Sequence, residues 1–84
     1  MLFPLGELRI SRRTVEEIPL TEIVSALLRH QRGDWGRETR GDNDRALEEG
    51  DELGVEYRSL RGIPFGIVTA ADRSMTRVRL RGEY

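Results

Sequence analysis

Apolar positions in the segment 63–80, IPFGIVTAADRSMTRVRL, fall into two short runs separated by a polar turn. Ile63, Phe65, Ile67 and Val68 form a β-branched and aromatic run, which Ala70, Ala71 and Asp72 break. From Thr76 onward the chain alternates. Thr76, Val78 and Leu80 share one face of a strand, and Arg77, Arg79 and Arg81 share the other. The pattern predicts two strands joined by a turn, with an apolar face that the upstream chain must cover.

Upstream, the segment 5–13 alternates with Leu8 and Ile10 on one side and Arg9 on the other, which predicts a short edge strand. Arg12 and Arg13 would discourage further pairing there. Thr14 and Glu17 have capping-box spacing and predict a capped turn. Leu20, Ile23, Val24, Leu27 and Leu28 then recur as the apolar stripe of a helix, with Pro19 in its first turn and Gly33 as its stop. Gly33-Asp34-Trp35-Gly36 predicts a turn in which the only tryptophan plugs the edge of the core. A second, short helix is expected from an N-cap at Asp42 to a stop at Gly50, with Ala46 and Leu47 inward. Within 51–60, Leu53, Val55 and Tyr57 alternate as a strand, and Arg61-Gly62 turns the chain into the hairpin.

These elements predict one α+β domain over residues 1–84. Its sheet has three or four strands, mainly antiparallel, with two helices on one face and the element order β-α-α-β-β-β. Leu27, Leu28, Val55, Phe65, Ile67, Val78 and Leu80 are the expected core.

Composition narrows the function. Hydrophobic residues make up 37% and charged residues 35%, as expected for a globular chain, with no run of about 18 apolar residues to span a membrane. The start, MLFPLGELRI, lacks a basic segment ahead of a long apolar core, so no signal peptide is expected, and with no cysteine the cytoplasm is the expected compartment. No cysteine is present, which excludes thiolate chemistry, and a lone histidine with no paired ligand spacing predicts no metal and no cofactor. Neither a phosphate-cradling G-x-x-x-x-G-K nor a G-x-S-x-G elbow occurs.

The net charge of −1 hides an asymmetry. Residues 42–56 carry seven acids, including Asp42, Asp44 and Glu48, against Arg45 alone. Residues 57–84 carry six arginines against Asp72 and Glu83. Either the two faces pair with each other, or they steer a charged partner. Candidate partner-binding residues are therefore Arg73, Arg77, Arg79 and Arg81, with Asp42, Asp44 and Glu48 on the acidic helix. A second constellation is a polar cleft of His30, Asp34, Trp35, Asp72, Arg73, Ser74 and Thr76. There a histidine base and an arginine would flank a phosphate if the helix end and the hairpin tip meet. The alternative is structural: Asp72 and Ser74 make the turn, and His30 caps its helix.

Several motifs together resemble a family of small proteins carried by plasmids, integrative elements and prophages. Its pattern includes RHxxGDWG and, later, ITEADRSxTTVLLPxEY. Here it is matched by Arg29-His30, Gly33-Asp34-Trp35-Gly36, Asn43, Ala46-Leu47, Gly50, Tyr57, Ile67-Val68-Thr69, Ala71-Asp72-Arg73-Ser74, Thr76, Val78, Leu80 and Glu83-Tyr84. The resemblance implies a mobile-element context, where small accessory proteins act on host defence. The chain departs from the pattern at Glu52, Val55, Gly66, Ala70, Arg77, Arg79 and Arg81. The last three departures make the final strand basic.

The expected function is thus non-enzymatic protein binding, in the manner of an anti-CRISPR or anti-restriction inhibitor, with a host protein complex as partner. One alternative is a small ribonuclease or toxin using His30 and Arg73. Another is a regulator that binds nucleic acid through the arginine strand.

Overall fold

The computed structural model describes residues 2–83, apart from the side chains of Arg37 and Glu38. Met1 and Tyr84, the latter the last residue of the family-like ending, lie outside the described residues. The elements run β1 (Glu7–Ile10), α1 (Arg12–Glu17), α2 (Leu20–Gln31), α3 (Gly36–Glu49), β2 (Leu53–Arg58), β3 (Pro64–Thr69) and β4 (Met75–Leu80), with a final 3-10 turn (Arg81–Glu83). The strands form one sheet in the order β1-β4-β3-β2. The β2–β3 and β3–β4 pairs are antiparallel, whereas β1 joins β4 in parallel. The expected α+β domain with a mainly antiparallel sheet is what forms.

Alternation sorts the sheet into two faces. Leu53, Val55, Tyr57, Phe65, Ile67, Val78 and Leu80 point inward and are buried. Ile18, Ile23, Ala26, Leu27, Phe3 and Trp35 cover them. The register puts Arg9, Arg77, Arg79, Val68, Gly66 and Glu56 on the opposite face.

Helix α2 departs from the expected stripe. Ile23, Ala26, Leu27 and His30 are buried, while Leu20, Val24 and Leu28 are about half exposed. Leu28 is therefore not a core residue. At about 100° per residue, the apolar positions of α2 cover a wider arc than one sheet can bury. The flank bearing Glu22 and Arg29 is drawn toward β2: the Glu22 carboxylate accepts the Leu60 N–H, and Arg29 lies over the Tyr57 ring. That leaves the Leu20–Val24–Leu28 flank turned away from β2.

Three helices form rather than two. Ser11, not Thr14, is the cap of α1: its hydroxyl accepts the Thr14 N–H and donates to Glu83. Thr14 is buried inside the helix instead, and Arg12 and Arg13 belong to α1 and not to the strand they were expected to guard. Helix α3 begins at Gly36, well before the expected N-cap at Asp42, and ends as expected at Gly50, whose φ of 73° is left-handed. Its polar first half carries no apolar periodicity from which to read a helix. Asn43 gives it a firm anchor: the side-chain amide donates to the Gly54 carbonyl and accepts the Gly54 N–H. Those are the bonds a neighbouring strand would make, so Asn43 closes the β2 edge at that point.

Candidate functional site

The inner face accounts for most of the residues expected to line a polar cleft. His30 is fully buried at the end of α2. A chain of hydroxyls fixes its tautomer. Thr76 Oγ1 donates to the Leu5 carbonyl at 2.7 Å, so Thr69 Oγ1 must donate to Thr76 at 2.8 Å. Thr69 then accepts from His30 Nε2–H at 2.9 Å. Nε2 thus carries a proton, and Nδ1 has no partner among the described residues. Burial, reinforced by the charge of Arg73, lowers the imidazole pKa to about 4.

Phe3, a core residue with no sequence signal beyond its apolar character, links the cluster. It meets His30 edge-on at 5.1 Å and stacks near Trp35 at 6.5 Å. Trp35 is buried as the expected plug, and its backbone carbonyl accepts from Thr39. The Arg73 guanidinium lies 5.8 Å from the Phe3 ring and donates to the carbonyls of Asp51, Ala70 and Ala46. Arg73 is also the only non-glycine described residue with positive φ, at 62°, and its N–H closes the turn on Ala70. His30, Trp35 and Arg73 therefore do gather, but around a phenylalanine, with His30 and Trp35 buried and Arg73 bonded to backbone carbonyls. His30 meets no solvent and is shielded from any substrate in this arrangement. Arg73, expected also at a partner interface, spends its donors on the chain's own carbonyls.

Thr76 stays with His30, whereas Asp72, Ser74 and Asp34 separate from it. Thr76 is buried in the hydroxyl chain. Asp72 is exposed at the hairpin tip, where bonds from Ser74 lower its pKa. Asp34 is exposed and pairs with Arg29 at 2.8 Å, which lowers its pKa. Its carbonyl takes the Tyr57 hydroxyl, and burial raises the pKa of that phenol to about 12. A polar hollow of about 450 Å³ lies between α2 and α3. It is lined by Arg32, Gly33, Asp34, Trp35, Gly36 and Arg40, and does not include His30.

The outer face is different. No helix covers it. Arg9, Arg77, Val68 and Gly54 stand side by side in one cross-strand row, and Arg79, Gly66 and Glu56 in the next. Arg81 is held by Glu56, with Nε to Oε1 at 2.9 Å. Arg77 and Arg79 make no hydrogen bond or ion pair among the described residues. They flank a hollow of about 90 Å³ over Gly66 and Val68. Beside it, Glu52, Val68, Ala70, Met75 and Arg77 line another of about 110 Å³. The acidic segment 42–56 divides: Glu56 shares the Arg79 row and holds Arg81, and Glu52 lies near Arg77, whereas Asp42, Asp44 and Glu48 are exposed on α3.

Among the described residues no group of His, Asp and Glu is placed to hold a metal ion, and no helix is long and apolar enough to cross a membrane. The chain matches no known family model, curated protein or solved structure.

Proposed function

We propose that the chain is an accessory protein of a mobile genetic element that acts in the cytoplasm by binding a protein of a host defence system, of the anti-restriction or anti-CRISPR type. The binding surface in this reading is the uncovered face of the sheet. One observation carries it: Arg77 and Arg79 stand unpaired over an aliphatic floor, while His30 and Thr76 are buried in the fold and Arg73 bonds the chain's own carbonyls. Adjacent like charges in a sheet cost stability unless something offsets them. An acidic partner surface would do so, and arginine is well suited to the centre of such an interface. The resemblance to mobile-element proteins supplies the biological setting.

A nucleic-acid partner fits this face less well. No aromatic side chain stands on it among the described residues, so bases would have no stacking platform. The ribonuclease reading has no supporting observation, because His30 is buried and neutral.

The test is a host carrying an active restriction or interference system, challenged with a targeted plasmid. Expression of the chain should raise transformation, and the Arg77→Glu, Arg79→Glu double variant should not. With the partner in hand, the variant's loss should appear largely as slower association at low salt. No protection by the parent chain against any such system would remove the inhibitor reading. Equal protection by the folded variant would move the interface off the sheet.

A further inference from the structure

The two edges of the sheet are not treated alike. Asn43 closes β2 at Gly54, but among the described residues β1 has β4 as its only strand neighbour. Glu7 and Ser11 direct their N–H groups to Ser74 and Val78 of the β4 side. In a parallel ladder the alternate residues, Leu8 and Ile10, then direct both backbone groups away from β4. The Leu8 side chain is 42% exposed beside them. Glu7 and Arg9 are exposed as well and pair with each other at 3.2 Å. The arginines that would have guarded this edge, Arg12 and Arg13, lie in α1 instead. An open edge of this kind is a template for a further strand.

The sequence of β1 selects which strand. We infer that β1 pairs antiparallel with β1 of a second copy, about a two-fold axis at Leu8. Only outward-directed residues can bond across such an edge, so even positions must meet even positions. With Leu8 opposite Leu8, Glu7 of each copy falls opposite Arg9 of the other, and both charges are matched twice by symmetry. The register with Leu8 opposite Ile10 sets Arg9 against Arg9. The register with Ile10 opposite itself sets the exposed Leu8 against Arg12. The first register alone is complementary in both charge and apolar contact. It also places the partner's glutamate in line with Arg9 and Arg77, which stand side by side on the outer face. The result is a continuous eight-stranded sheet. This pairing does not depend on the proposed defence role.

Sedimentation of the full chain over a range of concentrations tests it. The parent should form a reversible dimer. Glu7→Arg alone, or Arg9→Glu alone, sets like charges opposite each other twice and should weaken dimerisation about tenfold or more, while the Glu7→Arg, Arg9→Glu double variant should restore it. Both residues are exposed, so the monomer fold should persist in each variant. The register has its own readout. The chain has no cysteine, so Leu8→Cys should give a disulfide-linked dimer on mild oxidation, since hydrogen-bonded antiparallel pairs bring Cα atoms to about 5.5 Å. Arg9→Cys should not. A parent chain that stays monomeric at every concentration overturns the inference. So does a dimer indifferent to both single reversals, or one in which Leu8→Cys and Arg9→Cys cross-link equally.

Discussion

The two faces of the sheet use polar side chains in opposite ways. On the inner face, His30, Thr69 and Thr76 bond to one another and to the Leu5 carbonyl, and Arg73 closes over three carbonyls. On the outer face, Arg77 and Arg79 have no partner among the described residues. The residue types most suggestive of catalysis thus serve structure, and the alternation of the last strand carries the free charge. Residue type alone does not mark a site; what matters is whether the group's bonds are already made.

Three measurements sharpen or break this contrast. The largest effect belongs to the packed side. Leu27→Ala should cost about 2–5 kcal/mol in denaturant unfolding, because Leu27 is buried between α2 and the sheet. A cost below about 0.5 kcal/mol would mean that α2 is not packed there.

Next comes acid. His30 titrates near 4 in the fold and near 6.5 when unfolded, so between those values the unfolded chain binds the extra proton. Stability should be full above about pH 6.5 and fall by roughly 3 kcal/mol as pH drops to about 4. Asp34, Asp72 and Glu83, whose pKa values are lowered, add losses of the same sign only in the carboxylate range. The histidine contribution is therefore read above about pH 5. His30→Gln should flatten that upper slope, and a slope unchanged in this variant would show that the imidazole is not held neutral.

The smallest effect belongs to the open face. Arg77→Glu with Arg79→Glu should shift stability by no more than about 0.5 kcal/mol. A loss of about 2 kcal/mol or more would assign the arginines to the fold, and the contrast would fail.

Much of the sheet was legible in the sequence because alternation is a local signal. Leu53, Val55 and Tyr57, and then Thr76, Val78 and Leu80, fall on the face expected of them. The parallel pairing of β1 was not legible, since nothing local says which distant strand an edge segment will join. The start of α3 was missed because RETRGD is polar throughout. Asn43 was visible only as a motif residue, and its clamp on Gly54 exists only once the β2 edge is in place. His30 misled for a related reason. A histidine in the last turn of a helix suits the dipole there, and only two threonines on separate strands reveal that it is buried. Arg73 was singled out in the right turn, but its left-handed backbone and its carbonyl partners come from contacts across the fold.

The parallel docking of β1 has a consequence for the order of assembly. Strands β2, β3 and β4 are joined by short turns and can pair as soon as they are made. The contacts that hold β1 span almost the whole chain: Thr76 reaches Leu5 across 71 positions, and Glu83 reaches Ser11 across 72. Closing so long a loop costs more entropy than closing a hairpin, and slows the contacts that depend on it. The three-strand meander is therefore expected to come first and β1 last, and in the monomer β1 is the strand that lifts most easily. Hydrogen exchange at concentrations where the chain is monomeric would record this as amides of β1 exchanging ahead of those of β3; the reverse order would place β1 in the folding nucleus.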